Sequence, residues 1–203
     1  LTFFREPVGG AEFEPVRGGC LVFSKDVGGG EFFQYYRHDF DGGLATLLSD
    51  GSSRNTDARW SHDGRRLVYG STRRNGRDVD LWLVEPREPN STRLLAELDG
   101  GGWSALDWSP DGQRLLLRNY FSINKADLWL LEVSTGIKTR LAPLDTAAQV
   151  AYLTGRFRRD GQAVYATTDR DSEFQQLVEI ALDTGEHRCL SHNIAWDVEE
   201  FEL

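Results

Sequence analysis

The sequence lacks any apolar run near the roughly 20 residues that a transmembrane helix needs, and it has no signal peptide. It has only two cysteines, Cys20 and Cys189. They form no CxxC motif, so neither a zinc site nor a disulfide framework is indicated, and we interpret both as ordinary strand residues. Methionine is absent and the first residue is Leu1. We therefore expect a piece of a longer protein and leave its localisation open between the cytoplasm and the periplasm or an exported compartment.

Positive charge is also scarce, with 23 Lys and Arg against 32 Asp and Glu and a net charge of −9. This balance argues against nucleic acids and anionic membranes as partners. No segment repeats apolar residues at i, i+3 and i+4, which excludes a long amphipathic helix. The chain instead has 21 Gly for tight turns, and 6 Trp and 11 Phe for a core. These features predict an all-β fold.

Three segments are near-copies of one another, about 48 residues apart. They are Trp60–Tyr69, Trp108–Leu117 and Phe157–Ala166. Each has an Asp-Gly pair shortly after its aromatic residue, at 63–64, 111–112 and 160–161. Asp-Gly is typical of a tight hairpin, because Gly adopts positive φ without steric cost. A period of roughly 40–50 residues built on short strands indicates a β-propeller.

Each repeat divides into four short strand-like runs, which is the composition of one propeller blade. An earlier segment fits less closely, with Gly18-Gly19 in place of Asp-Gly. The sequence predicts about four blades, at 9–51, 52–99, 100–146 and 147–193, with 194–203 as the start of a further blade. We interpret this partial β-propeller of four-stranded antiparallel sheets as a fragment of a larger propeller. Uncovered blade faces and open strand edges then favour self-association.

The units Trp-Ser-His/Pro-Asp-Gly-x-x-Leu and Asp-Leu-Trp-Leu resemble the repeats of TolB-like propellers. They resemble even more the N-terminal propeller of the prolyl oligopeptidase family, in its dipeptidyl-peptidase and acylaminoacyl-peptidase branch. The closer resemblances lie at 23–34, 48–55 and 118–124. WD-repeat and sialidase-type propellers match less well, because Trp82 and Trp129 are each followed by Leu and the Asp and Gly of each turn are adjacent.

The resemblance implies that the propeller precedes an α/β-hydrolase domain, whose catalytic Ser lies in a G-x-S-x-G turn. This sequence contains no G-x-S-x-G, so no catalytic residue is carried over. The implied role is that of a non-catalytic domain that gates peptide substrates for a serine peptidase. Its implied partners are the missing C-terminal hydrolase domain and the peptide. The alternative is a TolB-like module that binds a protein or peptide. A self-sufficient enzyme is a weaker possibility, because an acid/base or metal constellation is missing.

We assign no catalytic, cofactor-binding or metal-binding residue. The histidines are His38, His62, His187 and His192. A triad would need a nucleophile and an orienting acid beside one of them, and nothing in the sequence indicates this. We expect His62 in an exposed turn and His187 in an outermost strand.

The recurring aspartates Asp63, Asp111 and Asp160 suggest turn capping rather than calcium binding, which needs several oxygen ligands within one short segment. Further carboxylates form two pairs, Asp78 with Asp80 and Asp169 with Asp171. Arg77 and Arg170 lie beside these pairs, so we expect solvated ion pairs there.

Trp82 and Trp129 share one position of the third strand, which Tyr36 and Val178 occupy in the other repeats. Such repetition favours packing between blades over ligand stacking, and Trp60, Trp108 and Phe157 are likewise core candidates. Recognition residues are most expected in loops 71–78 and 118–125. The candidates there for binding an acidic or C-terminal carboxylate group are Arg73, Arg74, Arg77 and Arg118.

Overall fold

A computed structural model describes Phe4 and residues 6–145 and 147–203 of the chain. Residue 146, the predicted end of the third repeat, lies outside the described residues. Within the described part the chain forms sixteen β-strands and no helix. These strands make four antiparallel sheets of four strands each, in which every strand pairs with its neighbour along the chain. The all-β prediction, with four-stranded sheets as the repeating unit, is confirmed.

The strands are short and follow the repeats. The first sheet contains β1 (Val8–Phe13), β2 (Cys20–Lys25), β3 (Gln34–Asp39) and β4 (Ala45–Leu47). The second contains β5 (Asn55–Trp60), β6 (Leu67–Ser71), β7 (Asp80–Glu85) and β8 (Glu88–Ala96). The third contains β9 (Trp103–Trp108), β10 (Arg114–Ser122), β11 (Lys125–Glu132) and β12 (Lys138–Ala142). The fourth contains β13 (Tyr152–Phe157), β14 (Ala163–Thr168), β15 (Gln176–Ala181) and β16 (His187–Cys189).

The first strand of every sheet has six residues and ends on an aromatic residue. These aromatic residues are Phe13, Trp60, Trp108 and Phe157. Each pairs with an apolar residue near the start of the second strand, as Trp60 does with Leu67. The bulges of the four first strands fall at different places, so the shared register holds only close to the aromatic residue.

The chain divides into two compact units, Leu1–Gly101 and Gly102–Leu203. Each unit contains two sheets and has a hydrophobic cluster to which both of its sheets contribute. The cluster of the first unit consists of Val22, Tyr35, Leu48, Leu67, Tyr69 and Val84, with Ala58, Trp60 and Trp82 packed against it. The cluster of the second unit includes Leu106, Leu116, Leu128 and Leu141 from the third sheet, and Tyr152, Phe157, Val164 and Ile180 from the fourth. Apolar burial between neighbouring sheets therefore holds each unit together.

The exposure of the aromatic residue at the end of the first strand shows whether that face of the sheet is covered by a neighbouring sheet. Phe157 is only 4% exposed, because it lies in the cluster that the third and fourth sheets share. Phe13 occupies the same place in the first sheet and is 63% exposed. All six residues of β1 are exposed, so this face of the first sheet is open in the described chain.

The tail is joined by hydrogen bonds to the residue before β15. The Val198 N–H donates to the Gln175 carbonyl at 2.8 Å, and the Gln175 N–H donates to Asp197 Oδ1 at 2.8 Å. Residues 194–203 form no strand in the structure, and their assignment to the start of a further blade stays a prediction.

Leu128→Ala tests the packing between the third and fourth sheets. Leu128 is fully buried in the shared cluster, so we expect the free energy of unfolding to fall by about 2–5 kcal/mol. The measurement is urea unfolding followed by circular dichroism. Ile137→Ala is the control, because Ile137 is exposed and its truncation should cost less than about 0.5 kcal/mol. Equal losses in the two variants would contradict the packing described above.

Candidate functional site

The Asp-Gly turns are built alike and their aspartates serve the turn. The Ser61 hydroxyl donates to Asp63 Oδ1 at 2.6 Å, and the Arg65 N–H donates to the same oxygen at 3.1 Å. Asp111 receives the equivalent bonds from Ser109 at 2.6 Å and from the Gln113 N–H at 3.0 Å. The Ser109 bond, followed by the Gln113 bond, holds the pKa of Asp111 below its ordinary value. The prediction of turn capping is thus confirmed.

Asp160 caps the third such turn with a different partner. Its Oδ1 accepts the Gln162 N–H at 3.0 Å, and Arg158 replaces the serine, with its Nη2 atom 2.8 Å from Asp160 Oδ2. Within the described residues, no group of three or more His, Cys, Asp or Glu side chains is arranged to hold a metal ion.

Asp78 and Asp80 are buried, which corrects the expectation of solvated ion pairs. Asp80 is 0% exposed and accepts bonds from Arg74 Nε at 2.7 Å and from the Leu98 N–H at 2.8 Å. Asp78 is 3% exposed and accepts a bond from the Gly100 N–H at 3.1 Å. The two carboxylates therefore tie the loop before β7 to the segment that follows β8, whose N–H groups need acceptors. The sequence around Asp78 and Asp80 does not show that these N–H groups, which lie after β8, need acceptors.

The side chains around Asp78 also fix its charge. Arg77 Nε donates to Asp78 Oδ1 at 3.0 Å, and Asn75 Nδ2 donates to Asp78 Oδ2 at 2.7 Å. The Arg77 bond, with those from Asn75 and Gly100, holds the pKa of Asp78 well below its usual range. In the fourth sheet the Arg170–Asp171 pair does lie in solvent, as expected, with the Asp171 side chain 88% exposed.

The four candidate arginines are engaged by groups of the protein itself. Arg74 binds Asp80, and Arg77 binds Asp78. The Arg73 guanidinium lies 4.7 Å from the centre of the Trp82 ring. Arg118 Nη1 donates to the Leu153 carbonyl at 2.8 Å. None of these contacts is itself a recognition site for a carboxylate ligand.

Residues 118–125 form strand rather than an open loop. β10 continues to Ser122 and β11 begins at Lys125, so only a short turn separates them. Tyr120, Phe121 and Ile123 are exposed on this hairpin. The expected recognition loop is therefore the tip of a long hairpin with apolar side chains.

The histidines lie in separate parts of the sheets. His38 is buried in β3, and His62 is exposed in a turn, as expected. His187 lies in β16, at the edge of the fourth sheet, as predicted. Its Nε2 is 3.0 Å from the Tyr152 hydroxyl and its Nδ1 is 2.9 Å from the Gly185 carbonyl. Burial lowers the pKa of His187, and these partners are not those of a catalytic triad.

The third-strand tryptophans are packed and covered by cations. Trp82 packs against the cluster of the first unit, which confirms its predicted packing between sheets. Trp129 contacts Trp103 with ring centres 5.6 Å apart, and the Arg140 guanidinium lies 4.8 Å from the Trp129 ring. Trp108 is buried as predicted, whereas Trp60 is only half-buried.

A polar position two residues before Trp82 and Trp129 was missed by the sequence reasoning. It holds Asp80 and Asp127, and both are fully buried. Asp127 Oδ2 lies 2.9 Å from Arg140 Nη1, yet burial raises the pKa of Asp127. The repeated Asp-Leu-Trp-Leu could have revealed this position, because a polar residue that recurs in the same place of a buried strand needs a partner.

A cleft of about 280 Å³ lies between the first and second sheets, both in the first unit. Its walls are the middle of β1, Val22 and Ser24 of β2 and the bulged part of β5, with Tyr35 and Leu67 behind them. It was not predicted, because no single residue or motif marks it.

The two units fill the space between their sheets differently. In β9 the bulge falls between Ala105 and Asp107, so Leu106 is an extra residue of the strand. Leu106 belongs to the cluster of the second unit, where it lies close to Gly155 of β13. In β1, Ala11 pairs with Phe23 and Phe13 pairs with Leu21, so no extra residue lies at this place. β1 therefore has no counterpart of Leu106.

Comparison with known proteins identifies relatives in sequence and in structure. No family model matches the sequence. The chain is 28% identical over 145 residues to the uncharacterized peptidase YuxL of Bacillus subtilis, which covers 71% of this chain and 20% of that protein. It is similar in structure to a protein described as TolB from Agrobacterium tumefaciens, with a TM-score of 0.69, 17% identity, and coverage of 93% of this chain and 63% of the other.

A second structural likeness is to prolyl oligopeptidase B of Galerina marginata, solved with a 35-residue hydrolysis and macrocyclization substrate. Its TM-score is 0.65 at 18% identity, and the match covers 90% of this chain and 27% of that chain. The chain thus spans about a fifth of the related peptidase and about a quarter of this oligopeptidase. The chain has the fold of TolB-like and prolyl-oligopeptidase propeller domains, as the repeats predicted.

Asp78→Asn tests the buried ionic contacts of the first unit. The pKa of Asp78 is lower in the folded than in the unfolded chain, so the carboxylate stabilises the fold above about pH 4. That contribution is lost as the pH falls through the folded pKa. We expect the variant to have a lower urea midpoint at about pH 7, and the difference from the natural sequence to shrink as the pH is lowered.

Asp41→Asn is the matched control, since it removes the same charge from an exposed turn between β3 and β4. Its urea midpoint should follow the natural sequence at every pH. A difference for Asp78→Asn that is the same at neutral and acidic pH would show that the ionised carboxylate is not what stabilises the fold.

Proposed function

We propose that this chain is the non-catalytic propeller part of a prolyl-oligopeptidase-like serine peptidase. In this role it positions peptide substrates and limits access to an α/β-hydrolase domain that lies outside this sequence. The similarity to the peptidase YuxL is the observation that carries the proposal, because it extends over most of this chain but only 20% of that protein. The remaining length of such a relative leaves room for a catalytic domain.

The contacts within the sheets support a structural rather than a chemical role. The recurring aspartates cap turns, the buried carboxylates bind arginines and backbone N–H groups, and His187 bonds to a tyrosine and a carbonyl. These groups satisfy one another's hydrogen bonds. A nucleophile needs a neighbouring base and an orienting acid, and the motif that would supply the nucleophile is missing from the sequence.

A binding module is the second candidate, favoured by the structural likeness to TolB over 93% of this chain. In this reading the chain holds a protein or peptide partner without any attached hydrolase. The sequence that follows residue 203 in the gene separates the two candidates. A G-x-S-x-G motif followed by Asp and His supports the peptidase, and any other sequence supports the module.

The peptidase proposal predicts that activity requires more than this chain. The 203-residue chain should release no product from chromogenic peptide or ester substrates above the buffer rate, whereas the full-length protein should cleave short peptides. The measurement is product absorbance over time, with the full-length protein carrying Ser→Ala in its G-x-S-x-G as the control. Turnover by the 203-residue chain alone would overturn the proposal.

We further propose that the isolated chain self-associates through the open face of its first sheet. Phe13 and Phe40 contact each other there with ring centres 5.9 Å apart, and both are exposed. Val16 and Leu44, which belong to the turns of the same sheet, are also exposed. Exposed apolar surface of this kind favours association with another apolar face.

Phe13→Asp should weaken this association, because a carboxylate would have to be buried in the contact. Light scattering should show a mass that rises with concentration for the natural sequence and stays lower for Phe13→Asp. Ile137→Asp introduces the same charge at an exposed apolar residue of the second unit and should leave the mass unchanged. A natural chain that stays monomeric at high concentration would refute this proposal.

A further inference from the structure

We propose that the cleft between the first and second sheets binds one basic side chain of a peptide, that is, an alkylammonium or alkylguanidinium group on an apolar stem. The proposal concerns a binding site and does not require an attached hydrolase domain. Its basis is the shape of the cleft, the charges at its rim and a buried hydroxyl in its wall.

The cleft has the size and the lining for a single side chain. Its volume of about 280 Å³ is at the lower limit of the roughly 300–1,000 Å³ typical of small-molecule sites. Val22, Leu67, Ala11 and Ala58 give it apolar walls. Lysine and arginine have apolar stems that are commonly buried while the charged end stays near solvent.

The charge at the rim favours a cation. Glu12 Oε1 and Arg59 Nη1 lie 3.2 Å apart, so these two charges largely neutralise each other. Asp57 adds a further carboxylate to the lining, and this carboxylate accepts no hydrogen bond from the part of the chain that the structure describes. One net negative charge is therefore left at the rim for a ligand to meet.

The backbone holds Asp57 in an unusual conformation. β5 has a bulge between Thr56 and Arg59, and Asp57 lies in this bulge with φ of 47°. A bulge changes the direction of a side chain, and a residue other than glycine with positive φ is uncommon outside turns. Asp and Asn adopt this conformation more readily than most residues, so Asn can replace Asp57 without changing the backbone.

Tyr35 supplies a hydrogen-bond donor and an aromatic ring in the wall of the cleft. Its side chain is buried, and its hydroxyl oxygen accepts the Ala58 N–H at 3.1 Å. The hydroxyl proton has no acceptor among the described residues, and burial raises the pKa of Tyr35 to about 12, so the proton stays in place at neutral pH. A peptide carbonyl beside the basic side chain could accept it. Tyr35 and Trp60 also present the aromatic surface that attracts cations.

The test is a titration of the isotope-labelled 203-residue chain, followed by amide chemical shifts. The probe is N-acetyl-arginine amide, and the control ligand is N-acetyl-norleucine amide, which has an apolar stem without the charge. We expect saturable shifts at Ala11, Ala58 and Arg59 with the arginine probe. The norleucine probe should bind about two- to fivefold more weakly, which is the effect of one partly exposed charge pair.

Two variants separate shape from charge. Gly10→Leu adds a side chain at a lining residue where an added Cβ would meet no other heavy atom within 4 Å, so it should fill the cleft and the saturable shifts should disappear. Asp57→Asn keeps the shape and should weaken arginine binding about two- to fivefold while leaving norleucine binding unchanged. Asp41→Asn removes the same charge from a distant exposed turn and should bind as the natural sequence does.

The proposal is overturned if the two ligands bind equally, or if Gly10→Leu retains its far-ultraviolet circular dichroism and still binds. It is also overturned if Asp57→Asn binds arginine as the natural sequence does, which remains measurable even if Gly10→Leu fails to fold. A peptidase assay cannot produce any of these outcomes, so failure here is distinct from failure of the proposed function.

Discussion

Apolar contact between neighbouring sheets is the interaction that organises each unit of the chain. A four-stranded sheet of short strands has two faces and cannot bury either of them alone. Tyr152, Phe157 and Val164 of the fourth sheet meet leucines of the third, and Leu67 and Tyr69 of the second sheet meet Tyr35 of the first. Hairpin turns fix the strands within a sheet, whereas this contact brings one sheet onto the next, together with hydrogen bonds such as that from Arg118 to the Leu153 carbonyl. The exposure of Phe13 shows what the same position looks like when its face is uncovered.

Polar groups secure the chain where the apolar contact ends. Gln34 and Asp80 occupy equivalent positions of the third strand, and both are fully buried. The Gln34 amide oxygen accepts the Gly51 N–H at 3.0 Å, and Asp80 accepts the Leu98 N–H at 2.8 Å. Each bond joins a third strand to the segment that leaves the same sheet. A buried carboxylate is costly unless it is paired, and Arg74 supplies the pair for Asp80.

The sequence predicts those features that are local and repeated. Asp63 and Asp111 cap turns whose geometry is set within a few residues, so their role could be inferred from spacing alone. The burial of Asp78 could not be inferred in this way, because Asp78 accepts the N–H of Gly100, which lies 22 residues further along the chain. The cleft was equally hidden, since its lining residues come from several strands and meet only after the two sheets are packed together.

Because the four sheets repeat one pattern, the places where two sheets differ point to local features such as the cleft. In the second unit the extra residue of the β9 bulge, Leu106, fills the space beside Gly155 between two sheets. β1 has no counterpart of Leu106, and the sheets of the first unit meet through Val22, Tyr35 and Leu67. The cleft beside this contact therefore does not separate the sheets. The contact between these sheets does not depend on filling the cleft, and the Asp57 carboxylate beside it accepts no hydrogen bond from the described residues. A ligand could therefore bind in this cleft without any change in the hydrophobic core.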